Sequence, residues 1–155
     1  MSQLGARIAV SPPVSAVIEQ AAFFAPLAPR QRAGIADITR LRTFPSHSDI
    51  YALGDTAAHC YVLVAGVVKF HLPVGGRTAA AGDIIRRGEL FGWAALVRGC
   101  QRRMGTAFCA TECCVAAIDG DALLQLMDAD HSMGYAIMTG VSLITTGTIT
   151  SLVTG

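Results

Sequence analysis

The chain has 155 residues, enough for one domain with its own core and too few for two ordinary ones. Apolar residues make up 52% and charged residues only 15%, a balance that argues against intrinsic disorder and for a well-covered or oligomeric surface. The formal net charge of +1 provides no basic field of the kind a nucleic-acid binder uses.

Cysteine usage and the start of the chain narrow the class further. The five cysteines, Cys60, Cys100, Cys109, Cys113 and Cys114, are odd in number and contain no C-x-x-C pair, so they predict reduced core thiols and neither a disulfide framework nor a zinc site. The first residues hold no continuous apolar stretch behind a basic start, and Pro12-Pro13 interrupt what there is. The expectation is a cytoplasmic protein.

The first predicted element is a helix over residues 14–24, with apolar positions at Val14, Val17, Ile18, Ala21 and Ala22 behind two prolines suited to a helix start. A second short helix fits residues 29–41, with Phe23-Phe24-Ala25-Pro26-Leu27 as the hinge between them. Residues 1–22 therefore read as an N-terminal arm and helix, and residues 23–155 as the domain.

From Arg42 to about Ile118 short runs of β-branched and aromatic residues are cut by Gly, Asp and Pro at intervals of roughly ten, the texture of a β-roll or sandwich. Turn signals fall at residues 45–48, Gly54-Asp55, Gly66, Gly75-Gly76 and Gly82-Asp83, leaving strands near 50–53, 61–64, 67–72, 78–81, 106–110 and 113–118. Asp119-Gly120-Asp121 supplies capping oxygens for a helix through Met127, and Asp130 or Ser132 starts another over residues 131–153.

From Ser132 onward there is no charged residue, and four glycines, six threonines and three serines keep the segment weakly apolar. We read it as a helix packed on a partner rather than a membrane span, with Met133, Ile137, Val141 or Gly140, Ile144 and Thr148 as its seam. No Lys or Arg follows Asp130, which predicts no direct nucleic-acid binding by these residues.

The most informative stretch is residues 88–110. Gly88-Glu89-Leu90-Phe91-Gly92-Trp93 leads into apolar Ala94-Ala95-Leu96-Val97 and then into Arg102-Arg103-Met104-Gly105-Thr106-Ala107. A glycine opening a helical turn leaves backbone N–H groups free for an anion, and an arginine from a following strand adds full positive charge. The arrangement resembles the phosphate-binding cassette of cyclic-nucleotide-binding domains, the effector domains of CRP/FNR-type (catabolite activator and fumarate-nitrate regulator) bacterial regulators. A second match is the Gly54-Asp55 turn followed by Tyr61-Val62-Leu63-Val64-Ala65-Gly66-Val67-Val68, which is similar to that family's "aromatic, x, Leu, x, x, Gly, x, Val" run.

The resemblance implies a mainly β fold, a β-roll of the double-stranded β-helix or jelly-roll type, with N-terminal helices and a C-terminal helix that pairs in a homodimer. It implies a regulatory sensor without catalysis, taking a cyclic nucleotide or another small anion. The implied ligand site is Gly92, Trp93, Ala94, Arg102, Arg103, Met104, Gly105 and Thr106. Arg103 takes the place of the phosphate arginine, and Arg102 is the neighbour that a one-residue slip would substitute.

One position departs from the nucleotide-binding pattern. Where the family places a glutamate for the ribose 2′-OH, this chain has Trp93, whose indole N–H donates and cannot accept. Losing a charge-assisted hydrogen bond costs about 1.5 to 3 kcal/mol, roughly ten- to a hundred-fold in affinity. Glu89 matches the family's earlier, turn-forming acid and does not replace it. The expectation is therefore a sensor not tuned for cyclic AMP. Two alternatives stand beside it: a degenerate, pocketless module for dimerisation or protein interaction, and the effector part of a transcriptional regulator.

Plain structural roles also stay open for these residues. Arg103 could pair with Glu112 or Asp83 at a strand edge, Trp93 could plug the core, Gly92 could serve only a turn, and Arg86-Arg87 could be solvated. His47, His59 and His71 recur every twelve residues but lack the His-x-His and acidic partner of a cupin-like metal site. Cys113 and Cys114 are neighbours on a strand and face opposite ways, which speaks against a shared redox or cluster site. No nucleophile elbow, His-Glu-x-x-His helix or Walker loop is present, so no enzyme is expected.

Overall fold

The computed structural model describes residues 11–74 and 77–154, with side chains for 11–73 and 84–150. Residues 1–10 of the predicted arm and the Gly75-Gly76 turn lie outside this range.

Helix α1, Val14–Gln20, starts behind Pro13, whose carbonyl accepts from Ala16 and Val17. The predicted helix to residue 24 breaks at Ala21, where the backbone turns extended (φ −71°, ψ 119°), and a 3-10 turn over Ala22–Phe24 follows. Helix α2, Pro29–Asp37, has proline in its first turn and the Gln31 side chain accepting from the Ala28 N–H at 2.8 Å. It ends four residues before the predicted Leu41, because Thr39–Phe44 forms strand β1, paired with the strand at Cys113–Asp119. Long-range pairing overrides local helical spacing here.

Strands β2 (Asp49–Tyr51), β3 (His59–Ala65), β4 (Val68–Val74) and β5 (Arg77–Ile85) follow, then β6 (Leu90–Phe91), β7 (Thr106–Cys109) and β8 (Cys113–Asp119). They form two antiparallel four-stranded sheets, one in the order β1-β8-β3-β6 and the other β2-β7-β4-β5. The predicted turn at Gly82-Asp83 is a bulge inside β5: Lys69 pairs with Ile84 but His71 with Ala80, so residues 81–83 face a single residue of β4.

The sheets pack face to face around Tyr51, Tyr61, Leu63, Val68, Phe91, Cys109, Cys113 and Val115. The opposite face of the first sheet presents Cys60, Val62, Val64, Cys114, Ala116 and Ile118 to the helices. Strands β3 and β8 are thus buried on both sides, which is why they read as continuous apolar runs without alternation. Cys113 and Cys114 face opposite cores.

Asp119 caps helix α3, Gly120–Ala129, by accepting from the Ala122 N–H at 2.9 Å. Asp130 then accepts from the Met133 N–H, the Ser132 hydroxyl and the Gln31 amide, tying α2 to the start of helix α4, His131–Thr154. Those bonds, the Gln31 contact foremost, push the Asp130 carboxyl down to about 2.

The seam of α4 corrects the expectation made for it. Met133, Ile137 and Val141 are buried in the domain's own core, in one cluster with residues of α1, α3 and the 3-10 turn. Among the described residues, the large hydrophobic side chains that α4 leaves exposed are Tyr135, Leu143 and Ile149. Among the described residues, no helix is long and apolar enough to cross a membrane.

Candidate functional site

The backbone around residue 92 creates the site. Gly92 takes a left-handed conformation (φ 75°) between β6 and a 3-10 turn over Trp93–Leu96. A β-carbon there would approach the Tyr61 ring to 3.1 Å and Arg103 Nη1 to 3.2 Å, so only glycine fits without displacing its neighbours.

Residues 101–103 run antiparallel to the 54–57 segment, with the Ala57 N–H donating to Gln101 O, the Arg103 N–H to Asp55 O and the Gly54 N–H to Arg103 O. Adjacent side chains on such an extended segment point to opposite sides. Arg102 accordingly faces outward, exposed, and donates to Gly54 O at 2.9 Å. Arg103 faces inward and is only 4% exposed.

The Arg103 guanidinium donates through Nη1 to Gly92 O at 2.9 Å and through Nη2 to His59 O. Its Cζ lies 3.9 Å from the Tyr51 ring centre, and Nε is buried with no partner. Neither Glu112 nor any other described carboxylate forms an ion pair with it; the side chain of Asp83 is outside the described set. Burial pushes the Tyr51 hydroxyl far above its ordinary value and the Cys60 thiol up to about 12, both opposed by the nearby Arg103 charge. A guanidinium among carbonyl oxygens and a ring, with no carboxylate partner among the described side chains, is a buried charge those neighbours neutralise only in part.

Arg103 lines a cleft of about 870 Å³ between the sheets' open end and α4. Gly92, Trp93, Ala94 and Met104 line it too, so five of the eight sequence-predicted residues converge on one cavity. Arg102, Gly105 and Thr106 are not among its walls. Gly105 is buried against His71 O and Leu72, and the Thr106 hydroxyl accepts from the Leu53 N–H at 3.1 Å. Both hold the start of β7, directly after the segment that carries Arg103.

Trp93 is half-buried, forming wall rather than plug. Glu89 accepts from the Arg86 N–H at 2.7 Å, the turn-forming role expected of it, and Arg86 and Arg87 are exposed. The three spaced histidines do not meet, and among the described residues no group of His, Cys, Asp and Glu is placed to hold a metal ion.

Several contributors had no linear signal. Tyr51 supplies the ring beneath Arg103 from β2, and His59 supplies a carbonyl rather than its imidazole. Phe23, Ala136, Gly140 and Gly147 bring the 3-10 turn and α4 to the far wall. Phe23 reaches this position because Gly140 has no side chain: a β-carbon there would lie 2.6 Å from Phe23 Cε2.

The same architecture occurs in solved structures. A putative cyclic nucleotide-binding protein from Geobacter metallireducens superposes with a TM-score of 0.73 at 22% identity, over 88% of this chain and 97% of that one. The sensor domain of the transcriptional regulator DNR from Pseudomonas aeruginosa gives 0.70 at 17% identity, over 92% and 91% of the two chains. The regulatory domain of Toxoplasma gondii PKA, solved with cAMP, gives 0.72 at 18% identity, over 83% and 48%. No curated protein matches the chain by sequence. The family model described as the cyclic nucleotide-binding domain matches residues 41–130, the β-roll with its cassette and α3, and the chain belongs to that family.

Proposed function

We propose that this domain is a non-catalytic regulatory sensor of a small anion, not tuned for cyclic AMP, which signals through α4 in a homodimer. The observation that carries the reading is Arg103: a buried guanidinium with an unpartnered Nε and no carboxylate among the described residues, placed on a cleft that α4 itself lines. An anion bound there touches both the cassette and the helix. It shifts α4 to the extent that it binds one packing of that helix more tightly than another, which is the requirement for a ligand to move a switch.

The open cleft favours this reading over the pocketless module, since Trp93 forms one of its walls and does not fill it. The dimer contact falls to the face of α4 turned away from the core, where Tyr135 and Ile149 are exposed on a helix without charged side chains.

Thermal-shift and calorimetric titrations of wild type and Arg103→Ala with cyclic AMP, cyclic GMP and simple organic anions test the reading. Stabilisation by an anion that disappears in Arg103→Ala supports it, because a ligand of the folded state must raise its stability. No response to any anion, or a response indifferent to Arg103, would favour the interaction module.

A further inference from the structure

The class of anion follows from what else lines the cleft, given the anion-sensor reading above. We infer that the natural ligand is an amphipathic organic carboxylate: one anionic head against Arg103 and an apolar body between the cassette and α4, with no sugar hydroxyls to satisfy.

Exposed apolar surface is concentrated here. Six large hydrophobic side chains are exposed among the described residues, and three of them, Ile84, Met104 and Leu143, line this one cleft from three separate elements. Leu143 is 70% exposed and Ile84 54%, an arrangement that water disfavours and an apolar ligand body would cover. The cleft's size falls in the range of about 300–1,000 Å³ that drug-sized ligands occupy.

The described polar side chains offer a sugar few free acceptors. Glu89 is the only carboxylate among the described lining side chains, and its Oε1 is taken by the Arg86 N–H. Thr139 and Thr148, on the helix wall, donate their hydroxyl protons to Tyr135 O and Ile144 O of their own helix. Trp93 can only donate. A ribose 2′-OH would have to turn to Glu89, whose Oε1 already holds the Arg86 N–H, whereas a methylene or aryl body needs no acceptor.

The head group follows from the charge present. Among the described residues Arg103 is the one buried cation on the cleft, and although Nη1 and Nη2 donate to Gly92 O and His59 O, each keeps a second N–H that a carboxylate oxygen can accept. A dianionic phosphomonoester would bring a second charge with only exposed Arg86 at the rim to meet it.

The test is titration of the full chain with straight-chain carboxylates from hexanoate to dodecanoate below their micelle concentrations, with decanol, inorganic phosphate and cyclic AMP as separate arms. Wild type, Arg103→Gln and Leu143→Ser are compared. The expected result is affinity rising about 2- to 4-fold per added methylene, decanol binding at least about 10-fold more weakly than decanoate, and Arg103→Gln erasing that difference. Leu143→Ser, at an exposed position, should flatten the chain-length dependence even if Arg103→Gln fails to fold. Tighter Arg103-dependent binding of cyclic AMP or phosphate than of decanoate would overturn this inference and leave the anion sensor standing. Carboxylate binding indifferent to Arg103, or no binding by any arm, would overturn both.

Discussion

The Cζ of Arg103 lies 3.9 Å from the centre of the Tyr51 ring, so the side chain that carries the site's charge is held between a strand of each sheet and the backbone of Gly92 and His59. Arg103→Lys keeps the charge but not the planar fork, and an ammonium cannot bridge both carbonyls while stacking on the ring. The expected outcome is a loss of about 1–2 kcal/mol in urea unfolding and at least about a ten-fold loss of anion affinity. Wild-type affinity in the lysine variant would show that charge alone suffices.

On the proposed reading, Trp93 sets the ligand preference from the cassette side. Trp93→Glu places a carboxylate at the half-buried wall position where, in the family, a ribose hydroxyl finds its acceptor. Cyclic AMP affinity should rise about 10- to 100-fold over wild type by calorimetry, the reverse of the cost of a missing charge-assisted bond. Affinity for apolar carboxylates should fall in the same variant. An unchanged cyclic AMP affinity in a folded Trp93→Glu protein would remove Trp93 from the specificity argument.

The β-roll and the turn at Gly92 were legible because they rest on local chemistry, glycine at a forced turn and apolar runs bounded by turn residues, whereas Arg103 was singled out over Arg102 by the family resemblance, and the structure places its side chain inward. Strand β1 and the end of α2 were not, since residues 39–41 fit a helical spacing and become strand only through pairing with β8. The seam of α4 misled for a related reason. A stripe at Met133, Ile137 and Val141 marks a buried face, but sequence spacing does not say whether the domain or a second copy buries it. The far wall of the cleft joins Phe23 to Gly140 across more than a hundred residues, a contact no local pattern encodes.

Alkaline pH should weaken the domain. Burial raises the Cys60 and Cys109 thiols to about 12, and raises the Tyr51 hydroxyl as well. A raised folded value means that the unfolded chain releases these protons first. The stabilisation is complete below the unfolded thiol value of about 9 and is lost as pH climbs from there through 12. Urea midpoints should be flat from pH 7 to 8.5 and fall steadily above 9. At the acid end the depressed Asp130 carboxyl acts with the opposite sign, its contribution present above 3.8 and lost as pH falls toward 2. The same burial leaves exposed Cys100 as the one thiol that reacts rapidly with a disulfide reagent at pH 8, whereas all five react once the chain is unfolded.

Gly140 offers the sharpest test of the contact that builds the far wall. In an exposed helix, glycine to alanine gains up to about 1 kcal/mol of helix propensity. Here the new β-carbon would meet the Phe23 ring at 2.6 and 2.9 Å, closer than side chains pack, and Phe23 is itself set edge-on against buried Phe24 (interplanar angle 87°). Gly140→Ala should therefore lose about 1–2 kcal/mol overall despite the propensity gain, an overpacking cost. Phe23→Leu alone should also destabilise, yet the double variant should recover at least about 1 kcal/mol of the summed losses, the coupling expected of residues in direct contact. Additive single-variant effects would show that Phe23 and α4 do not press on each other in solution, and that the cleft's far wall is free to move independently of the 3-10 turn.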